Sequence, residues 1–180
     1  MMIALSYVLQ IFENFYPTIL TPFLRLEPSD IPAIFVGIFY GPLYGVSVEL
    51  YKNVLHAIFI SKDPAFSGEI ANFFAGCAYL LPVSLYAMVN RQKLKTAKFK
   101  QIGLLLSFYL TLGTLSLTVV MAFVNYFITL PLWGVVGHEE RITFLKTISL
   151  FNVIKGTLLA AVTLAIYPKL RSIFIRYDLH

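Results

Sequence analysis

Six apolar segments fill most of this chain, and they restrict the folds that it can adopt. The sequence of 180 residues is 58% hydrophobic and 13% charged, whereas a typical soluble domain carries about 25% charged residues. Only helices and closed barrels can span a membrane, because unpaired backbone groups find no water in the hydrocarbon region. A barrel needs strands of about ten residues with alternating polarity, and the sequence shows no such period. The composition therefore predicts an all-α membrane protein.

Prolines, glycines and charged residues divide the apolar segments into six predicted transmembrane helices. Proline ends or kinks a helix because it lacks a backbone N–H, and Pro17, Gly41-Pro42, Pro131 and Pro168 lie at such interruptions. We expect helices at about residues 1–16, 31–40, 43–60, 66–89, 99–130 and 142–167, within one integral membrane domain covering residues 1–180. The second helix is short, about half of what a ~30 Å hydrocarbon core requires.

Basic residues cluster in two places, and their distribution predicts the orientation of the chain. The clusters are Arg91, Lys93, Lys95, Lys98 and Lys100 after the fourth helix, and Lys169, Arg171 and Arg176 after the sixth. With six crossings both clusters lie on one side, which the positive-inside rule assigns to the cytoplasm. We therefore expect a multi-pass cell-membrane protein with both termini in the cytoplasm and with the loops at 18–30, 61–65 and 132–141 outside. The net charge of +5 is explained by this orientation, and no nucleic-acid partner is expected.

Polar side chains within the predicted spans are the candidates for function. They are Glu49, Lys52, Glu69, Asn72, Asn125, Asn152 and Lys155. Such groups are costly at bilayer depth and normally face the interior of a bundle. Asn125 precedes the outer end of its helix by five residues, or about 8 Å, and Asn152 lies six residues after Lys146, or about 9 Å.

These depths predict a shared pocket in the outer half of the membrane. Lys155 is on the same face as Asn152, and Glu69 and Asn72 occupy the first turns of the fourth helix, again at the outer end. The alternative is a set of interhelical hydrogen bonds that only lock the bundle. Asparagine amides offer adjacent donors and an acceptor, which suits the edge of a flat, uncharged heterocycle.

The remaining polar residues are assigned no role in chemistry. Glu49 and Lys52 are expected to pair with each other, with His56 one turn further on as a possible third member. The sequence has no phosphate-binding Gly-Lys-Ser/Thr loop, and His138-Glu139 lacks the second histidine of a zinc motif. We therefore expect no enzyme activity, no metal site and no cofactor.

Several segments resemble the substrate-binding S components of energy-coupling factor (ECF) vitamin transporters. The resemblance is carried by residues 22–33, 41–45, 49–53, 68–73, 125–132 and 152–156, so it spans nearly the whole chain. Its most specific stretch is Asn125-Tyr-Phe-Ile-Thr-Leu-Pro-Leu132, and the most similar branch is the riboflavin-specific RibU family. The resemblance implies a six-helix protein that binds riboflavin from outside and docks onto a transmembrane coupling subunit driven by two ATPase subunits.

The resemblance also assigns roles to individual residues. It implies that Asn125, Asn152 and Lys155 hydrogen-bond the vitamin and that the loop after the first helix covers it. Glu69 or Asn72 is then expected to bind the ribityl hydroxyls. The apolar walls are expected from Leu24, Leu26, Ala33 and Phe74. Two alternatives remain open: an S component for another vitamin, such as thiamine or a folate, and a structural membrane subunit without a small-molecule ligand.

Overall fold

The computed structural model describes residues 1–20, 24–26, 28–61, 63–96 and 99–177. The α-helices of this part are α1 Met2–Ile11, α2 Ile31–Tyr40, α3 Pro42–Phe59, α4 Ser67–Val89, α5 Arg91–Thr96, α6 Phe99–Val124, α7 Leu130–Leu132 and α8 His138–Tyr177. A π-helical turn, Asn125–Thr129, joins α6 to α7, and short 3-10 helices occupy Phe12–Phe15 and Pro64–Phe66. Across the described ranges the only β-type pairing is the isolated bridge of Thr18 with Arg25. The all-α expectation is therefore confirmed.

Three segments are long and apolar enough to cross a membrane, judged on the described residues. They are Ser67–Val89, Gln101–Leu132 and His138–Ile173. Helices α1 and α2 are apolar but have 10 residues each, and α3 carries two buried charges, Glu49 and Lys52. The architecture is that of a helical membrane protein in which long and short helices pack together.

Helix α2 is the most completely enclosed of the described helices, because seven successive residues from Pro32 to Ile38 are buried. A helix that is apolar on every side is stable only when other elements surround it, and α1, α3, α4 and α8 all pack against α2. Gly41 turns the chain directly into α3 with a φ of 115°, a left-handed conformation that side chains disfavour. This tight turn holds the first residues of α2 beside the middle of α3.

Helices α4, α6 and α8 form a second, closely packed layer. Gly113 on α6 brings that helix against α4, since a Cβ there would lie 2.8 Å from the carbonyl oxygen of Tyr79. Gly156 does the same between α8 and α6, where a Cβ would lie 2.7 Å from Thr114. Small residues at such crossings let membrane helices approach closely, and this layer fixes α6 and α8 relative to α4.

Several helix ends differ from the predicted ones. Helix α8 begins at His138 rather than near 142 and continues through Pro168 to Tyr177. Proline removes one hydrogen bond, but the adjacent Tyr167 is buried and stacks on Phe39 with ring centroids 6.0 Å apart, which keeps both halves of the helix in place. The predicted linker after α4 contains the helix α5.

Two further differences concern the ends of the first and fifth predicted helices. The α-helical part of the first ends at Ile11 and continues as a 3-10 turn to Phe15. The fifth passes through Pro131, which sits in the first turn of α7 after the π-helical turn. Part of the predicted covering loop, at 21–23 and 27, lies outside the described residues, as does Lys98 of the basic segment.

Candidate ligand-binding site

A cavity of about 540 Å³ lies between α3, α4, α6 and α8. Small-molecule sites in proteins usually have volumes of about 300–1,000 Å³. The connection between α1 and α2 contributes Leu24 and Arg25, and the π-helical turn contributes Asn125 and Thr129. The remaining wall combines bulky apolar side chains, among them Trp133, with polar side chains from α3, α4 and α8. The cavity therefore has the size and the mixed lining of a binding site.

Most of the predicted site residues line this cavity. They are Asn125, Asn152, Lys155, Glu69, Asn72 and Leu24. These residues come from the connection before α2, from α4, from the π-helical turn and from α8, so four separate segments meet at one cavity. This placement leaves open what the residues bind.

Leu26, Ala33 and Phe74, which the sequence predicted as apolar wall residues, lie outside the lining of this cavity. Ala33 is fully buried in the core of α2. Phe74 is 38% exposed and follows Asn72 by two positions, so it faces away from Asn72 on the helix. Leu26 is half-buried, and its backbone N–H donates to Pro17 O at 3.1 Å. The apolar wall consists instead of Leu24 together with Leu130, Val135, Phe144, Ile148 and Phe151.

Behind one wall of the cavity runs a chain of alternating charges, Glu49–Lys52–Asp30–Lys155, here called the ionic chain. Lys155 Nζ lies 2.8 Å from Asp30 Oδ2, and the other oxygen of Asp30 pairs with Lys52. Lys52 Nζ lies 2.9 Å from Glu49 Oε2 and donates to Ser29 Oγ at 3.1 Å. The predicted pairing of Glu49 with Lys52 is confirmed, although it belongs to a longer network.

Asp30 is the functional candidate that sequence reasoning missed. The sequence places it in a charged loop that we expected outside the membrane, but it is 1% exposed and lies within the bundle. The available signal was the Ser29-Asp30-Ile31-Pro32 helix start, which shows that Asp30 immediately precedes a fully apolar helix. A carboxylate that is buried because it precedes such a helix needs cationic partners, and Lys52 and Lys155 are those partners.

The asparagine side chains of the cavity differ in how many of their hydrogen bonds are already made within the protein. Asn125 Nδ2 donates to Met121 O at 2.7 Å, and Asn125 Oδ1 accepts from Thr129 Oγ1 at 2.6 Å. Asn152 is 4% exposed, and its Nδ2 is buried without a hydrogen-bond partner among the described residues. An unmet buried donor costs about 1–3 kcal/mol, which a ligand acceptor would recover.

Further polar contacts lie where α3 and α4 approach the cavity. His56 Nδ1 lies 2.7 Å from Glu69 Oε1, so His56 pairs with Glu69 rather than with Glu49. Trp133 Nε1 donates to Ser67 Oγ at 2.6 Å, which ties the segment after α7 to the start of α4. In the loop before α4, burial and then the negative charge of Glu69 raise the pKa of Asp63.

The fold and this cavity define a helical membrane protein with an internal site for a small molecule. The model of the family described as "ECF transporter, substrate-specific component" matches residues 1–169, and the chain belongs to this family. It is therefore a transport component and not an enzyme. The resemblance drawn from the sequence is confirmed.

Relatives of this chain support the same assignment. It is 35% identical over 179 residues to the riboflavin transporter FmnP of Bacillus subtilis (strain 168), covering 95% of this chain and 88% of that protein. It is 31% identical over 182 residues to the riboflavin transporter RibU of Staphylococcus aureus (strain TCH60), covering 98% and 89% respectively. A solved S component of a bacterial ECF transporter matches with a TM-score of 0.74 and 29% identity, over 96% of this chain and 92% of that one.

Proposed function

We propose that this protein binds riboflavin in the cavity between α3, α4, α6 and α8 and delivers it to the energy-coupling module of an ECF transporter. Both similar transporters are riboflavin transporters, and each matches nearly the whole chain. The coupling module comprises a transmembrane subunit and two ATPase subunits. In this proposal the protein crosses the cell membrane six times, its termini are cytoplasmic, and the cavity receives the vitamin from outside.

The open Nδ2 of Asn152, beside a Lys155 whose charge is compensated, is the observation that carries the proposal. Lys155 lines the cavity, and Asp30 behind it lies 2.8 Å from the Lys155 ammonium. Asn152 Nδ2 is buried without a hydrogen-bond partner among the described residues, and a ligand acceptor would recover the free energy that this open donor costs. The edge of the uncharged flavin ring carries such acceptors, whereas thiamine is a cation that would meet the ammonium group of Lys155. The two similar transporters are riboflavin transporters, which favours a flavin over a folate as well.

The cavity residues take separate roles in this proposal. Lys155 and Asn152 hydrogen-bond one edge of the flavin ring, and the open Nδ2 of Asn152 meets a ring acceptor. Asn125, already oriented by Thr129, contacts a second polar edge. Glu69 or Asn72 binds the ribityl hydroxyls. Leu24 and the rest of the apolar wall cover the apolar part of the ring.

Purification without added vitamin, followed by a competition panel, tests the proposal. The isolated protein is expected to carry a yellow, fluorescence-quenched flavin. After this flavin is removed and replaced by radiolabelled riboflavin, unlabelled riboflavin is expected to displace the label, and thiamine and folate are expected to leave it in place. Displacement by thiamine or folate instead would assign the site to another vitamin. A stable protein that neither carries flavin nor quenches it on titration would support a purely structural subunit.

A further inference from the structure

Asp30 lies between two lysines and outside the cavity. Its Oδ2 pairs with Lys155 and its other oxygen with Lys52, and it is not among the residues that line the cavity wall. Lys155, by contrast, is part of that wall. A ligand in the cavity would therefore meet the ammonium group of Lys155 and not the carboxylate of Asp30.

The backbone around Asp30 holds its carboxylate in a defined place. Ile31 N–H donates to Pro28 O at 3.1 Å, and the Asp30 carbonyl accepts from Ile34 N–H at 3.0 Å. Pro32 and Ala33, which follow at the start of α2, are both buried. Asp30 is thus anchored to the most enclosed helix of the protein, while lysine is a long and flexible side chain with several rotatable bonds.

The other end of the ionic chain is equally enclosed. Glu49 and Lys52 have no exposed surface, and Gly76 on α4 leaves the space that the Glu49 carboxylate occupies, since a Cβ there would lie 2.3 Å from it. Glu49 pairs with Lys52 and so keeps the Lys52 ammonium beside Asp30. The network therefore extends from a fixed site at α3 and α4 to the ammonium group of Lys155 in the cavity wall.

We propose that Asp30 is a positioning residue for riboflavin binding: it holds the Lys155 ammonium in one place at the cavity wall and compensates its charge. This inference rests on the proposed function. A positioned ammonium group loses little freedom when it donates to the ligand, and preorganisation of this kind raises affinity by lowering the cost of binding. The compensating carboxylate also keeps the wall from attracting anions in place of an uncharged ring.

A double-mutant cycle in the full-length protein tests this role. The variants are Asp30→Asn, Lys155→Met and the double variant, and the readout is the riboflavin Kd of the folded fraction. We expect each single variant to raise Kd by roughly tenfold or more, as for loss of a charged hydrogen bond. The double variant is expected to bind no more weakly than Lys155→Met, because Asp30 acts only through Lys155. Additive effects of the two changes would overturn the proposal.

Glu49→Gln is the matched control, since Glu49 is a carboxylate of the same network, equally buried, but separated from Lys155 by Lys52 and Asp30. It is expected to lower thermal stability and to raise Kd by less than Asp30→Asn does, because Lys155 keeps its direct partner Asp30. The visible absorption bands of bound riboflavin provide a second readout. They should shift in the same way in Asp30→Asn and Lys155→Met and stay unchanged in Glu49→Gln.

Asp30→Glu provides a test if Asp30→Asn does not fold. Asp30→Glu retains the charge but displaces the carboxylate, so the riboflavin Kd should rise. When Lys155 is already replaced by methionine, adding Asp30→Glu should not change Kd further. A purely structural role would instead lower stability and the bound fraction at an unchanged Kd, which would refute the positioning role. If the unmodified protein binds no riboflavin, the proposed function fails and this inference fails with it. If the protein binds riboflavin but the effects of the Asp30 and Lys155 changes are independent of each other, this inference alone fails.

Discussion

The cavity and the packed layer of α4, α6 and α8 use buried polar groups in opposite ways. In the packed layer they bond to nearby backbone: Thr114 Oγ1 donates to Leu110 O at 3.1 Å, and Tyr79 OH donates to Gly156 O at 3.2 Å. At the cavity, charged side chains from three distant segments form the ionic chain. In the packed layer these hydroxyl groups bond to backbone carbonyls, whereas the cavity wall is backed by charged side chains from distant segments and leaves Asn152 Nδ2 without a partner among the described residues.

The comparison predicts that changes in the packed layer lower stability without affecting the ligand, and the clearest case is Gly113→Ala. The added Cβ would lie 2.8 Å from a backbone oxygen of α4, which cannot move independently of its helix. We expect a loss of about 1–3 kcal/mol in unfolding free energy, as for other overpacked sites. Thermal unfolding in detergent measures it, with riboflavin Kd unchanged in the folded fraction.

Gly103→Ala is the matched control on the same helix, because a Cβ there meets nothing within 4 Å. Replacing glycine by alanine at an open helical position is expected to stabilise by about 0.4–1 kcal/mol. Equal destabilisation by both variants would contradict the account of the α4–α6 contact.

At the cavity, Lys155→Ala should have the largest effect on affinity. Loss of a charged hydrogen bond is expected to weaken riboflavin binding by about 1–3 kcal/mol, measured by fluorescence titration. Stability should change less, because Asp30 retains Lys52 as a partner. Lys146 is an exposed lysine on the same helix, and the control variant Lys146→Ala should bind riboflavin normally. An equal loss of affinity in both variants would show that the effect of Lys155→Ala does not arise from the cavity.

Thr129→Val tests the orientation of Asn125 and should have a smaller effect. The change removes the hydroxyl that donates to Asn125 Oδ1 at 2.6 Å, and a neutral hydrogen bond contributes about 0.5–1.5 kcal/mol. We expect riboflavin affinity to fall by this amount in calorimetry. Thr143→Val, where the hydroxyl bonds only its own helix at Glu139 O, should leave affinity unchanged. An unchanged affinity for Thr129→Val would remove Asn125 from the proposed contacts.

Asp63→Asn should have the smallest effect, and the effect depends on pH. A carboxyl whose pKa is raised on folding destabilises the folded protein once it ionises. Asparagine should therefore raise the melting temperature slightly at neutral pH, and the gain should vanish as the pH falls through the ordinary aspartate range, where both states are protonated. A gain that persists in acid would refute this explanation.

Much of this structure follows from local properties of the sequence. Apolar length and proline or glycine positions predict α2 at Ile31–Tyr40 and place α3 and α4 within a residue or two of their ends. Helical rise also brings Asn125, Asn152 and Lys155 to one cavity. These features depend on neighbouring residues or on a single helix, where simple periodicity applies.

The remaining features depend on packing between distant segments. Pro168 ends a helix by local rules, but the stacking of Tyr167 on Phe39 keeps α8 continuous. By sequence alone Asp30 belongs to a charged loop. In the structure it directly precedes the enclosed helix α2 and is therefore buried between Lys52 and Lys155. Ala33 and Phe74 lie outside the cavity lining, because the direction of a side chain depends on helix rotation, which an apolar composition does not specify.

A crystal structure of the protein purified with riboflavin tests the central claim most directly. The account predicts the flavin ring within hydrogen-bonding distance of Lys155 Nζ and Asn152 Nδ2, with Asp30 still paired to Lys155 behind the wall. Riboflavin bound elsewhere on the protein, or a ring in the cavity that leaves both of these groups without contact, would contradict it.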